Sequence, residues 1–509
     1  MQAVSEQAAK DNDNLSKAPN CSQIEGKKDR VILAQNELEW ASPDDPERPM
    51  NWSIWRKLGI AGAVCAMRFT TPFASSMMAP ALLRIGKDMH SPSDMLLSFS
   101  VSIYIIGYGA GPLVLAPLSE VYGRNIIYHI GNTFFLIFSA CCGLSSNLPS
   151  LLAFRFLAGV FGGVPLTISG GTIVDIVPVE RRGLIMSIFT LSMLIGPVLG
   201  PMIGGFITEA IGWRWIFWIL TILSGCTTII GFIFLRETHS PVLLERKASL
   251  LRRELDNPVI QVKNRSNSAL GPLLAHAILR PMQLLFNPIV LITSLYMAIM
   301  YGIVYLLFAT FSVVFQTEYG WKEGISGLAY MGIGVGSVLG VLMFGRYSDR
   351  IYTILTEKHG EAKPEYRLIP LIPSAIAMPI GLLLYGWSAQ YDVHYMVPII
   401  GTGFTGFSIM GCMAAIQAYL VDAFPVSAAS VLAANSLVRS IAGGLIPLGG
   451  FGMYEKLGLG WGNTLLALLA TFFGLSPVLF YKYGQLIRGW SLDDDSKSHS
   501  TGDPRSPDV

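Results

Sequence analysis

Three arginines stand well inside long apolar runs of this chain: Arg68, Arg155 and Arg439. Burying a guanidinium in hydrocarbon costs between about 3 and more than 10 kcal/mol, so each must face a cavity or a partner. The planar fork of a guanidinium matches a carboxylate. Arg68, between CAM and FTTPFASS, reads as an attractor for an anionic or strongly polar small molecule. The alternative is that it pairs with a neighbouring helix or snorkels to the surface. No Asp or Glu lies at comparable depth: Glu120, Asp175, Glu209, Glu318, Asp349 and Asp422 fall near the ends of apolar runs or between them. A polyamine or cationic drug would need a buried carboxylate as counter-charge, which disfavours such cargo. His129 is the one histidine deep in an apolar run, and no buried H-E-x-x-H or G-x-S-x-G accompanies it. No GxxxxGK[ST] phosphate loop occurs either, so neither an enzyme nor an ATP-driven pump is expected.

Other candidate positions lie on helical faces. Tyr301, Tyr305 and Phe308 recur at i, i+4, i+7 and so share one face. Gln417 and Asn435 are polar letters within apolar runs. With Arg439 they could bind neutral or anionic cargo; simple packing is the competing reading. The stretch GPVLGPMIGG, Gly196 to Gly205, sets Gly196, Gly200 and Gly204 at i, i+4, i+8 beside Pro197 and Pro201, with Gly205 closing it. In lipid, close backbone approach through small residues drives helix association, and neighbouring helices satisfy carbonyls that prolines free. The stretch is either a packing seam or a bend that pivots or seals.

These residues need a membrane scaffold to position them. The 509-residue chain is 52% hydrophobic and 14% charged, with mean hydropathy +0.50, whereas soluble domains carry about 25% charged residues. A net charge of +2 points to no nucleic acid or other polyanion. Six cysteines show no CxxC pairing; Cys65, Cys141, Cys142, Cys226 and Cys412 lie in apolar runs and read as small core residues, so no metal or other cofactor is expected. Twelve apolar runs, each near the roughly 20 residues that cross hydrocarbon, are expected at 58–80, 96–118, 126–146, 150–173, 184–207, 213–235, 288–315, 324–345, 368–388, 396–420, 428–451 and 462–484. The fold class is all-α, with two pseudo-symmetric six-helix halves at 55–235 and 288–487. A polar linker at 236–287 joins them, and disordered tails at 1–54 and 488–509 flank them. The start of the chain has no signal-peptide pattern. Lys and Arg crowd alternate loops, including Arg124, Arg181, Arg182, Arg346, Arg350 and Arg367, which places both termini in the cytoplasm.

The two halves also repeat a motif. APLSEVYGRN follows the second run and GRYSDRIY follows the eighth, with Glu120, Gly123 and Arg124 in one and Asp349 and Arg350 in the other. Both resemble the GxLaDrxGrr loop of the major facilitator superfamily, with Ala116 and Glu120 as departures. LLAFRFLAGVFGG resembles the LxxxRxxqG motif at Arg155 and Gly159, with Ala158 in place of glutamine. GPVLGPMIGG resembles the fifth-helix antiporter motif, and RETHSPVLLERKASLLR resembles the linker signature of the fungal drug:proton antiporters. RPMQLLFNPIVLITSLYMAIMYGIVYLLF and YLVDAFPVSAASVLAANSLVRSIAGG resemble their seventh and eleventh helices.

The resemblance implies the twelve-helix fold and proton-coupled efflux of a small organic molecule from a fungal cell by a monomer in the plasma membrane. Protons, the bilayer and the cargo are the partners. Arg155 would serve proton coupling, with Asp175 at the turn into the fifth helix; Arg155 holding backbone carbonyls is the alternative. Glu120, Gly123, Arg124, Asp349 and Arg350 would clamp the halves, and the Gly196–Gly205 stretch would bias transport toward export. Asn287 stands where polyamine and drug exporters often carry glutamate. The expected cargo is an anionic or neutral secondary metabolite or organic acid, such as a dicarboxylate or mycotoxin. A multidrug or polyamine exporter, an uptake symporter and a nutrient sensor are the alternatives.

Overall fold

The computed structural model describes residues 31–34, 37–40, 42, 44–90, 93–254, 261–262, 270–361, 363–425, 427–477 and 479–482. Helices carry nearly all of it because backbone polar groups in hydrocarbon must be satisfied within each segment. The first span is Ile54–Ser76, the second Asp94–Tyr122 and the third Arg124–Leu144. The fourth runs in two pieces, Leu148–Gly162 and Val164–Ile176, because Pro165 brings no N–H to the joint. The fifth is Val179–Ile211 and the sixth Arg214–Phe234. After the linker come the seventh, Pro288–Thr317, a short helix Glu323–Leu328, the eighth, Met331–His359, the ninth, Leu371–Gln390, and the tenth, Met396–Ala423.

Ten stretches among the described residues are long and apolar enough to span a membrane. The first span is not one of them. The last stretch, Ala428–Lys482, is 55 residues long and folds as two passes. Helix Ala428–Leu445 continues through a 3₁₀ turn into Gly450–Gly474, which breaks at Gly458 with φ of 73°. With the first span added and this stretch divided, the passes number twelve. Gly458 moves the end of the eleventh span beyond the expected residue 451.

Composition sets which face each span buries. The sixth turns Ile222, Ile229, Phe232 and Ile233 outward, as a lipid-facing helix should. The seventh is 94% buried across its most apolar window and forms the spine of the second half. Asn287 caps it, its side chain accepting from the Ile289 N–H at 3.0 Å, which gives this departure a local structural role.

Two segments outside the spans carry structure of their own. Part of the 1–54 tail is ordered: β1 (Val31–Ala34) pairs antiparallel with β2 (Glu37–Trp40), which pairs parallel with β3 (Gln261–Val262) from the linker. Leu38 packs with Leu244, Ala248 and Val262 in a small core of their own. The linker also forms helices Ser240–Glu254 and Leu270–Leu284. The expected tail at 488–509, like residues 1–30, lies outside the described residues.

Candidate functional site

Between the halves lies a partly open cavity. Tyr104 and Tyr108 line it from the second span, and Tyr301, Tyr305 and Phe308 from the seventh. Thr71, Ser75 and Ser337 supply hydroxyls; Met193, Leu194, Ile333, Ile409 and Met410 are among the apolar walls. The lining contains no Asp, Glu, His, Lys or Arg. The seventh-span stripe is therefore a cavity wall. Its ring centroids step from Tyr301 to Tyr305 at 4.9 Å and on to Phe308 at 5.5 Å.

The three deep arginines differ in how they are held. Arg155 is 2% exposed and donates to four carbonyls: Ser100 at 3.1 Å, Ala74 at 3.0 Å, and Ser75 and Val101 at 3.3 Å. It thereby ties the first and second spans to the fourth, as in the carbonyl-holding alternative. Arg68 is not part of the lining. Its Nη1 turns to the Leu166 carbonyl at 2.9 Å and to Ser169, so it pairs with the fourth span and not with open cavity space. Arg439 is 4% exposed and stands 4.6 Å from the Tyr301 ring centroid. Its hydrogen-bond partners are Met413 Sδ and Ser436 Oγ, both at 3.4 Å.

Asn435 and Gln417 are not among the cavity residues. The Asn435 amide donates to Ser294 Oγ at 3.3 Å, fastening the eleventh span to the seventh. Gln417 is half-buried on the tenth span.

The glycine stretch forms a seam with two faces. A Cβ at Gly196, Gly200 or Gly204 would meet first-span backbone between Pro72 and Met77. A Cβ at Gly205 would run into the Glu323 carbonyl of the other half. Pro201 brings no N–H to the Pro197 carbonyl four residues back, and Ser76 Oγ donates to that carbonyl at 3.1 Å. Despite both prolines the helix is continuous. Contacts between the halves extend along this end of the bundle. Gln316 donates to Pro80 O at 3.0 Å, Ser98 to Pro447 O at 3.0 Å, and the Gly324 N–H to Glu209 at 3.1 Å.

At the opposite, Arg-rich end, two polar clusters among the described residues each lie within one half. Arg124 Nε donates to Asp175 Oδ2 at 2.7 Å. Glu237, 5% exposed, accepts from the N–H groups of Arg124 at 3.0 Å, Asn125 at 3.3 Å and His239 at 2.9 Å. It is a buried carboxylate at the positive end of the third-span helix dipole. The sequence places Glu237 inside the linker signature without revealing this role; a lone acid immediately after an apolar run was the available signal.

In the second half, Arg367 Nε donates to Asp422 Oδ2 at 2.9 Å, and Arg367 Nη1 also meets Asp349. The counterpart of Arg124 is thus Arg367, not the expected Arg350, which is exposed. Arg367 immediately precedes the ninth span, as Arg124 opens the third. Glu120 is likewise exposed.

The sequence matches the Major Facilitator Superfamily over residues 64–447. It is 44% identical over 465 residues to the MFS-type transporter penM of Penicillium rubens, spanning 91% of this chain and 92% of that one. It is 45% identical over 457 residues to the efflux pump radE of Floropilus chiversii, spanning 89% and 85%. The fold is similar to the partially occluded inward-open xylose transporter XylE from E. coli, with a TM-score of 0.63 at 15% identity over 84% of this chain and 97% of that one. A twelve-pass bundle in two halves around a central cavity, with this match across most of the sequence, makes the chain a fungal transporter of the Major Facilitator Superfamily.

Proposed function

We propose that the protein is a proton-driven exporter of a largely apolar, aromatic secondary metabolite, acting as a monomer in the plasma membrane of a fungal cell. One observation carries this reading: five aromatic side chains line the cavity, and no Asp, Glu, His, Lys or Arg is among its described lining residues. Offset aromatic contacts and burial of flat apolar surface favour a polycyclic or aryl cargo. The hydroxyls of Thr71, Ser75 and Ser337 would orient its polar groups. A polyamine finds no counter-charge in that lining, and a small dicarboxylate finds little to replace its hydration. The relative named an efflux pump agrees with export.

In this reading the Arg-rich end faces the cytoplasm. The inter-half contacts at the far end close the cavity toward the outside, leaving it to load from within. Arg155 holds its carbonyls and stays charged, so its part in coupling is to fix the first, second and fourth spans. Asp175 is the group that exchanges a proton, and its protonation frees Arg124. The Gly196–Gly205 seam is the element that closes the exit path, while Glu120 and Asp349 stand at the rims that approach each other when the exit opens.

Profiling the culture medium with and without the gene tests this. Loss of an aromatic metabolite from the medium, with its accumulation in cells, is expected. An unchanged aromatic fraction alongside a changed polyamine or dicarboxylate pool would overturn the assignment.

A further inference from the structure

Arg439 has the weakest set of acceptors of the three deep arginines, although Arg68 also buries an Nε without a hydrogen-bond partner. Arg155 has four carbonyl oxygens to accept from it. Arg439 has a thioether sulfur, a weak acceptor, one hydroxyl at 3.4 Å and the face of Tyr301. Its Nε is buried without a hydrogen-bond partner. A guanidinium carries five N–H donors, and leaving buried donors unmade is unfavourable unless something else supplies the acceptor.

The surroundings indicate where that acceptor would come from. Arg439 packs on Tyr301, itself a cavity wall, and Tyr301 is also in contact range of a Cβ placed at Gly443 one turn along the same helix. Arg439 therefore stands behind the Tyr301 wall, outside the lining itself, with no carboxylate among the described lining residues.

We propose that Arg439 reads a single oxyanion, a carboxylate or an ionised phenol or enol, on an otherwise apolar aromatic cargo. The inference rests on the cavity being the cargo site and specifies its substrate class: aryl acids ahead of their neutral analogues. The aromatic walls take the ring system, and the guanidinium supplies the charge-assisted hydrogen bond that hydration loses on entry.

The test compares equilibrium binding of tritiated 1-naphthaleneacetate and uncharged 1-naphthaleneacetamide to the full-length protein in nanodiscs at neutral pH. The wild type is expected to bind the acid about 10-fold or more tightly than the amide, as charge-assisted hydrogen bonds imply. Arg439→Gln should abolish that preference while still binding the amide, and Arg439→Lys should restore part of it. Equal wild-type affinities, or a preference that survives Arg439→Gln, overturn the anion site and leave the aromatic cavity standing. Binding of neither probe by the wild type overturns both. The wild-type comparison needs no variant, so misfolding of Arg439→Gln cannot hide the answer.

Discussion

Gly123 leaves the space that the Glu237 carboxylate fills. Its φ is +101°, and a Cβ there would run into Glu237 Oε2. The turn between the second and third spans, the first residue of the third helix and the linker are locked by this one contact. Gly123→Ala is expected to lower stability by about 1 to 3 kcal/mol through backbone strain and displacement of the carboxylate. Glu237→Ala should also destabilise the protein. The double variant should lose less than the two losses added, because the clash disappears with the carboxylate. Thermal midpoints of the four purified proteins check this; strict additivity would break the link between the two residues.

His239 belongs to the same node, with Arg124, Asp175 and Glu237 around it. Burial, with the Arg124 charge in support, lowers its pKa from 6.5 to about 4. Between those values the unfolded chain takes up a proton that the folded protein does not, so this histidine's contribution to stability falls as pH drops from 6.5 toward 4. His239→Gln should flatten the fall in thermal midpoint across that window. A variant with the wild-type slope would assign the acid sensitivity elsewhere.

The far end should open when the Gly205–Glu323 approach is spoiled. Gly205→Leu places a side chain where the two backbones touch. The expected outcome is a protein that still melts cooperatively while a cysteine introduced at Pro80 reacts with an impermeant maleimide about 10-fold faster, the shift of a small change in a near-balanced equilibrium. Unchanged labelling would confine Gly205 to local packing.

Arg155→Gln should be far more damaging than Arg439→Gln. It strips donors from four buried carbonyls, each worth about 1 to 3 kcal/mol when left unsatisfied, whereas Arg439 donates to one sulfur and one hydroxyl. Expression and thermal midpoint in the same detergent rank the two; the reverse order would contradict the clamp assigned to Arg155.

Much of this architecture is legible in the letters because a membrane span advertises itself by length and hydropathy. The aromatic wall was readable from Tyr301, Tyr305 and Phe308 for the same reason, a helical period. Orientation about the helix axis is where reading stopped. Arg68 and Arg439 are equally apolar in their surroundings, yet one turns to Leu166 O and the other to Tyr301, which depends on which span lies alongside. Asn435 and Gln417 share that ambiguity. The roles of Glu237 and Arg367 are not legible in the sequence because their partners, at Arg124 and Asp422, are set by tertiary packing between segments far apart in sequence. The β1–β2–β3 sheet was hidden by polar composition: its core needs only Leu38, Leu244, Ala248 and Val262.

The most direct test is export by the Tyr305→Ala/Phe308→Ala double variant, expressed in cells lacking the native gene and matched to wild type in membrane abundance. The account predicts that wild type returns the missing aromatic metabolite to the medium and that the double variant does so at a tenth of that rate or less, in line with losing roughly 1.5 kcal/mol or more of cargo contact. Full export through the double variant would contradict the aromatic cavity as the cargo site.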